Sequence, residues 1–284
     1  MICGFYNRTR QGYYKHQKIL AQRQERDAQV IEKVKEIRCR QTMVGVKKLH
    51  KMISPALKIG RDYMYNLLAD NGMMLKVKKR HTNTSSPGNQ QVTYPNLIKH
   101  TEITKPNQAW VCDITYLNTC NGFAYLSLVT DLFSRKIIGY SVSDSLMSRS
   151  SCVALEAALE TVPGVEGIIH HSDHGIQYLS KEYQNILQEH GMLCSLTGNQ
   201  RCYDNAVAER INGILKHELG LSRTMPSLRV AQVAAADAIN IYNNERLHAS
   251  LNYKTPAMAY KECTQTQPPD GHSNYVGDGR ARCK

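Results

Sequence analysis

The sequence predicts an α/β fold: a mixed sheet in the order βββαβαβα, preceded by a basic helical region. Three observations lead there. Apolar residues recur at helical spacing up to about residue 71, then switch after 106 to runs with the length and composition of strands. Between them, residues 82–95 are rich in Thr, Asn, Ser, Gly, Gln and Pro and read as linker. Charge divides in the same place: residues 1–105 hold 21 Lys and Arg against 7 Asp and Glu, whereas 106–262 hold 12 against 15. The expected organisation is therefore a basic helical region over 1–81, a linker over 82–105, an α/β core over 106–262 and a disordered tail over 263–284.

In the N-terminal region Val30, Ile31, Val34 and Ile37 give helical spacing over 27–40, and Val44, Val46, Leu49, Met52 and Ile53 give it over 43–53. Ser54-Pro55 is expected to interrupt the second helix. A third helix is expected over 61–71, with Met64, Leu67 and Leu68 inward and Asn71-Gly72 as its stop. Three short helices with basic surfaces suit a helix-turn-helix-like unit whose last helix offers Arg61, Tyr63 and Asn66 to a major groove. The run containing Lys76, Lys78, Lys79 and Arg80 can grip phosphates without reading sequence, or be a solvated charge run. The net charge of +12 is thus concentrated in a module that favours a polyanion, most simply DNA.

The core begins with strand-like runs at 109–117, 123–133 and 136–143, joined by turn residues as an antiparallel meander. A helix over 149–161 ends at Pro163-Gly164, followed by a strand at 167–172, a helix at 180–190, a strand at 192–197 and a long helix from Asn205. Asp204 or Asn205 can cap that helix. This order matches the ribonuclease-H-like fold. Another helix is expected over 228–243, and the tail from about 264 has little to bury.

Several function classes fall away on composition. The nine cysteines are odd in number and never spaced C-x-x-C, which argues against a disulfide framework or a structural zinc site. The longest apolar runs are too short to span a bilayer, and the first residues lack a secretory hydrophobic segment. A cytosolic protein is the expectation.

Three acids stand out by their settings. Asp113 lies within the apolar run Ala109–Leu117, Asp173 ends the run from Gly167, and Glu209 lies in a helical stretch with 35 residues between it and Asp173. A carboxylate on a buried strand is costly unless something compensates its charge. Two strand-borne acids and a helix-borne one can converge on divalent metal ions, an arrangement suited to phosphoryl transfer on nucleic acid. Hard carboxylate oxygens suit Mg²⁺, which relieves their mutual repulsion. Asp131 and Asp144 are rival acids in the same region. Lys216, seven residues after Glu209 and on the same helical face, can touch substrate phosphate or be an exposed helix lysine. Arg210 and Asn212 flank the other faces and can contact DNA. His171 and His174 bracket Asp173 and either orient a ligand carboxylate or simply pack.

These residues resemble the catalytic protein of insertion-sequence transposases of the IS-three family, in the superfamily of DDE transposases and retroviral integrases. The resemblance covers about residues 25–262. Its marks are Trp110-Val111-Cys112-Asp113-Ile114-Thr115-Tyr116, then Ser172-Asp173-His174-Gly175-Ile176-Gln177-Tyr178, then Asp204-Asn205-Ala206-Val207-Ala208-Glu209 with Lys216. Tyr242-Asn243-Asn244-Glu245-Arg246-Leu247-His248, Leu251 and Thr255-Pro256 also fit, with Leu247 where proline is common. The resemblance implies DNA cleavage and strand transfer at the ends of a mobile element. It also implies Asp113, Asp173 and Glu209 as ligands of Mg²⁺, two ions by expectation with Mn²⁺ able to substitute, and Lys216 as an auxiliary phosphate contact. It further implies a homo-multimer on paired DNA ends, a cytoplasmic and nucleoid-associated location, and an upstream-frame helix-turn-helix protein, or its fused product, as partner.

Two other classes share some of these features. A ribonuclease-H-like nuclease would cut RNA in hybrids without joining strands. A DNA-binding regulator without catalysis would be indifferent to Asp113→Asn.

Overall fold

The structure, a computed structural model, describes residues 9–75, 94–198 and 205–265. Three helices form the N-terminal unit: α1 (Arg10–Arg40), α2 (Val46–Leu57) and α3 (Arg61–Asp70). Val30, Val34, Leu49, Ile53, Met64 and Leu68 are the apolar contacts that hold it together. Helix α1 begins 17 residues before the expected start at 27. Thr9 caps it by accepting from Gly12 N at 3.1 Å. Its first turns are solvated on every side, so no apolar stripe marks them in the sequence. Gln, Arg, Lys and Ala there are strong helix formers without one.

Helix α2 also departs from expectation. It runs through Pro55 to Leu57 and ends with Lys58 in the left-handed region at φ 47°. A proline in the last turn forfeits one backbone hydrogen bond but leaves the preceding turns intact. On α3, Tyr63 does not face outward. Its hydroxyl donates to Asp27 Oδ1 on α1, and Arg23 and Arg26 stack over its ring at 5.3 and 5.1 Å. The exposed face of α3 carries Arg61, Tyr65 and Asn66 instead. Lys76, Lys78, Lys79 and Arg80 lie outside the described residues.

Residues 94–105, expected as linker, lie against the core. Tyr94 donates to Gln184 Oε1 at 2.9 Å, and Ser195 Oγ accepts from Leu97 N at 2.9 Å.

The core sheet contains β1 (Ala109–Thr119), β2 (Gly122–Asp131), β3 (Ile137–Ser143), β4 (Ile169–Ser172) and β5 (Leu193–Leu196), in the spatial order β3-β2-β1-β4-β5. β1–β2 and β2–β3 pair antiparallel, whereas β1–β4 and β4–β5 pair parallel. Helices α4 (Ser148–Thr161) and α5 (Lys181–Glu189) supply the crossovers, and α6 (Ala206–His217) follows β5. This is the ribonuclease-H-like arrangement expected from the element order. Helix α7 (Leu228–Asn244) lies near its expected place, and a further helix, α8 (Pro256–Gln265), runs past the expected core boundary at 262. The tail beyond Gln265 lies outside the described residues.

Each sheet face buries its own apolar layer. Trp110, Cys112, Ile138, Leu155 and Leu187 fill one, beneath α4 and α5. Leu117, Leu126, Ile214, Leu215, Ala235 and Tyr242 fill the other, beneath α6 and α7. The alternation along β1 follows from the pleat and puts Asp113 on the α6 side.

Gly139 lets β3 approach α4 closely, because a Cβ there would lie 2.6 Å from Ala158 N. Gly139→Ala is expected to destabilise the core by about 1–3 kcal/mol through overpacking. Denaturant unfolding measures it, and a variant as stable as the parent contradicts this packing.

The helical unit docks on the core through Arg40, paired with Glu245 at 2.7 Å, and Thr42, whose hydroxyl donates to Glu218 O at 3.0 Å. Among the described residues no helix is long and apolar enough to cross a membrane.

Candidate active site

Parallel pairing sets two of the three acids side by side. Val111 on β1 pairs with His171 on β4. Two further residues along each chain bring Asp113 and Asp173 to the same level. Asp113 is partly buried mid-strand, while Asp173 is exposed just past the end of β4. The Asp173 carboxylate is steered by its own turn, Oδ1 accepting from Gly175 N at 2.9 Å. A Cβ on Gly175 would meet that same oxygen at 2.9 Å, so glycine keeps the turn open around the acid.

Glu209 occupies the first turn of α6, which packs across β1. One turn further on, Asn212 is buried and donates through Nδ2 to Asp113 Oδ2 at 2.8 Å. Asp113 Oδ1 accepts from Ile114 N at 2.9 Å. Asn212 thus ties α6 to the strand acid, and Glu209 sits three residues before it on the same helical face.

The electrostatics bear the imprint of this gathering. Burial, then the nearby Asp173 carboxylate, push the Asp113 carboxyl up to about 7. Glu209 adds to the rise, while the hydrogen bonds from Ile114 and Asn212 oppose it. Asp113 therefore feels both other acids. Yet among the described residues no three His, Cys, Asp or Glu side chains are close enough to form a ready ion cage. Uncompensated carboxylates repel, and here each strand acid turns toward a neutral donor instead.

The donor set nonetheless fits a hard dication. It offers carboxylate oxygens, and its neighbourhood holds buried polar atoms without a hydrogen-bond partner among the described residues: Ser172 Oγ, Asn205 Oδ1 and Asn212 Oδ1. Asn205 stands at the N-cap of α6, but its side chain makes no capping bond, and Asp204 lies outside the described residues.

The remaining candidates separate clearly. Asp131 is buried and structural, accepting from Asn107 N, Ser134 N and Ser134 Oγ at 2.8, 2.7 and 2.5 Å. Asp144 is exposed beyond the end of β3. His171 packs through Nδ1 against Ser195 Oγ at 2.8 Å, and His174 through Nε2 against Thr197 O at 2.8 Å. Lys216 lies partly buried in the last turn of α6, and Arg210 is exposed on another face of that helix. Arg61 is exposed on α3, where Nε lies 2.9 Å from the neighbouring Asp62 Oδ1. Asn212 was expected as an outward DNA contact and is instead the inward partner of Asp113. Its spacing of three from Glu209 was the signal that could have revealed this.

Known proteins resemble the chain in the same regions. The integrase core domain family matches residues 103–202, and a second family of that description matches 190–256. The chain is 31% identical over 268 residues to the insertion element IS600 uncharacterized 31 kDa protein of Shigella sonnei, covering 92% of this chain and 97% of that one. It is 31% identical over 218 residues to the transposase for insertion sequence element IS629 of Shigella sonnei, covering 76% of this chain and 73% of that one. Among solved structures, the HTLV-2 integrase catalytic core domain in complex with magnesium is similar at a TM-score of 0.43 and 20% identity, covering 55% of this chain and 97% of that one.

Proposed function

This chain belongs to the insertion-sequence transposases of the IS-three family, and from that membership we propose that Asp113, Asp173 and Glu209 together hold Mg²⁺ and carry DNA strand cleavage and strand transfer. The family chemistry is DDE transposition, a polynucleotidyl transfer. The single observation that supports the trio is the Asp113 carboxyl, raised to about 7 beside Asp173 and Glu209 and tied to the Glu209 helix by Asn212. An acid raised first by burial and then by like-charged neighbours at a sheet end is the setting in which a dication is favourable.

Mg²⁺, two ions with Mn²⁺ able to substitute, would supply positive charge for phosphoryl oxygens and acidify water. The side chains do the rest. Asp113 and Asp173 offer oxygens from two adjacent strands, and Glu209 closes the set from α6. Asn212 orients Asp113, and Lys216 contacts substrate phosphate from the far end of the helix. In the first step a water oxygen bonds to phosphorus at the element end, and the bond to the 3′-oxygen breaks, leaving a free 3′-hydroxyl. In the second step that hydroxyl bonds to a phosphorus of target DNA and displaces the target's own 3′-oxygen, which takes up the proton. Neither step needs a covalent enzyme intermediate.

The DNA contacts divide by region. Arg61 on α3 faces a major groove, the run Lys76, Lys78, Lys79 and Arg80 serves backbone binding, and Arg210 contacts DNA from another face of α6. A homo-multimer on paired ends, and an upstream-frame helix-turn-helix partner or fused product, complete the assembly.

The deciding assay gives the full chain and Mg²⁺ duplex oligonucleotides bearing the element's inverted repeats, with an RNA–DNA hybrid as the parallel substrate. Shortened strands with a free 3′-hydroxyl and joined products are expected on the duplex. Cutting of the hybrid with no joining of DNA would contradict the proposal and support a hybrid nuclease.

A further inference from the structure

A second charged site lies on the other side of α6. Lys48 from α2, Arg135 from the β2–β3 turn, Arg210 from α6, and Arg246 and His248 from the segment after α7 line one cavity of about 410 Å³. Sequence distance hides this grouping: the five residues span 200 positions and come from both the helical unit and the core.

The cavity is short of negative charge. Arg246 is buried and directs Nε and Nη2 to Glu218 Oε2 at 2.9 and 2.7 Å. Lys48 Nζ lies 3.8 Å from the same oxygen. Among the described residues Glu218 is the one carboxylate in ion-pair contact with this group. Burial and the surrounding cations push His248 down to about 3, so its ring is neutral, and Nε2 accepts from Arg246 Nη1 at 3.0 Å. Lys48, Arg135, Arg210 and Arg246 thus gather around one carboxylate in ion-pair contact, Glu218, with Asp131 acting on Arg135 from farther away. Arg135 shows the deficit most directly: its Nη1 is buried with no hydrogen-bond partner among the described residues. The Arg135 backbone is held in the left-handed region at φ 64°, and its carbonyl accepts from Tyr242 OH at 3.0 Å. The turn therefore holds a guanidinium whose Nη1 meets no acceptor among the described residues. An unmet buried donor is costly, and it persists where a ligand meets it.

We propose that this cavity is a phosphate-binding site that receives a backbone phosphate of DNA passing between the helical unit and the catalytic core. Guanidinium forks match phosphate oxygens in pairs, and Arg135 and Arg210 both line this one space. Lys48 belongs to the helix-turn-helix-like unit and Arg210 to the helix that carries Glu209. A phosphate between them would bridge the DNA-binding unit to the helix of the active site. Burial and Arg246 also push the Lys48 ammonium down to about 8, consistent with cations crowded together without their counter-ion. The inference rests on DNA being the substrate, as proposed above, but not on catalysis.

The test uses the full chain in chelator, so that strand transfer plays no part. Labelled duplex DNA is titrated by fluorescence anisotropy across a salt series, and inorganic phosphate is titrated in parallel by thermal shift. Arg210→Gln alters an exposed helix residue and spares the fold. Arg135→Gln and Lys48→Met are its companions, each checked for native helix content by circular dichroism. Each variant is expected to bind DNA roughly 10-fold more weakly, with the slope of log K against log salt shallower by about 0.9. Inorganic phosphate is expected to raise the parent's melting temperature and to lose that effect in Arg135→Gln. DNA affinity and salt slope unchanged in all three variants would overturn the proposal. Loss of the phosphate effect with DNA binding intact would also overturn it, by assigning the cavity to a free oxyanion. Variants that bind DNA weakly in chelator, with a parent that joins no strands in the separate Mg²⁺ assay, would leave this site standing and remove the catalytic reading instead.

Discussion

Asp173→Asn and Glu209→Gln are each expected to lower strand cleavage and joining by more than about 10³-fold, the scale seen when one member of an interdependent catalytic set is removed. Both acids are exposed, so neither change disturbs the core. Both variants should still bind end DNA, because the basic helical unit is untouched. Asn212→Ala should behave differently. It removes the amide that holds Asp113 Oδ2 at 2.8 Å but no proposed ligand, and outer partners of metal ligands are typically worth about 10–100-fold. A graded result, large for the acids and smaller for the amide, distinguishes a shared ion site from a diffuse acidic patch. Equal and modest losses in all three variants would reject that division of roles.

Asp113→Asn is expected to stabilise the metal-free chain at high pH. In the folded chain the carboxyl keeps its proton up to about 7, against an ordinary value of 3.8. Between those values the folded state binds more protons than the unfolded one, so stability falls as pH rises through the window. Below the unfolded value the acid is neutral in both states and costs nothing. Asparagine does not titrate, so the variant's advantage should be near zero at pH 4 and grow toward pH 8. The full rise corresponds to about 4 kcal/mol, and partial solvent access reduces this to about 1–3 kcal/mol. Urea unfolding in chelator at pH 4, 6 and 8 measures it. A pH-independent difference would mean that neither burial nor the neighbouring acids raise Asp113. Mg²⁺ should shrink the parent's deficit, since a ligand that binds only the folded state stabilises it. A site that destabilises the empty chain in order to bind an ion is the usual trade of stability for function.

Much of this was legible in the sequence, and the failures have physical causes. The strands of the meander were readable because their apolar runs are bounded by turn residues, as at Asn121-Gly122. The parallel strands were readable because buried strands are short and nearly all apolar. Periodicity failed at α1, whose first turns bury nothing and so leave no stripe to detect. It failed at α2 because a proline in a last turn costs one hydrogen bond rather than a helix. Helix α8 was overlooked although Thr255-Pro256 announces it, with Thr255 Oγ1 accepting from Met258 N at 3.2 Å. In the site, the three acids could be singled out because carboxylates within apolar runs are unusual. Asn212 could not, since a helix asparagine reads as polar surface until the strand beneath it is known. Tyr63 was assigned outward for the same reason: the acid that binds it, Asp27, reads as polar surface at the start of the 27–40 helix until α1 and α3 are packed together. The cavity holding Arg135 and Arg246 was invisible because its residues come from four separate parts of the chain.

The most direct measurement is Mn²⁺ binding to the full chain, followed by electron paramagnetic resonance in the presence of end DNA, for the parent and for Asp113→Asn, Asp173→Asn and Glu209→Gln. Saturable binding in the parent, weakened in every one of the three variants, is the predicted result. Undiminished Mn²⁺ affinity in all three would contradict a shared ion site, whatever the activity of the chain.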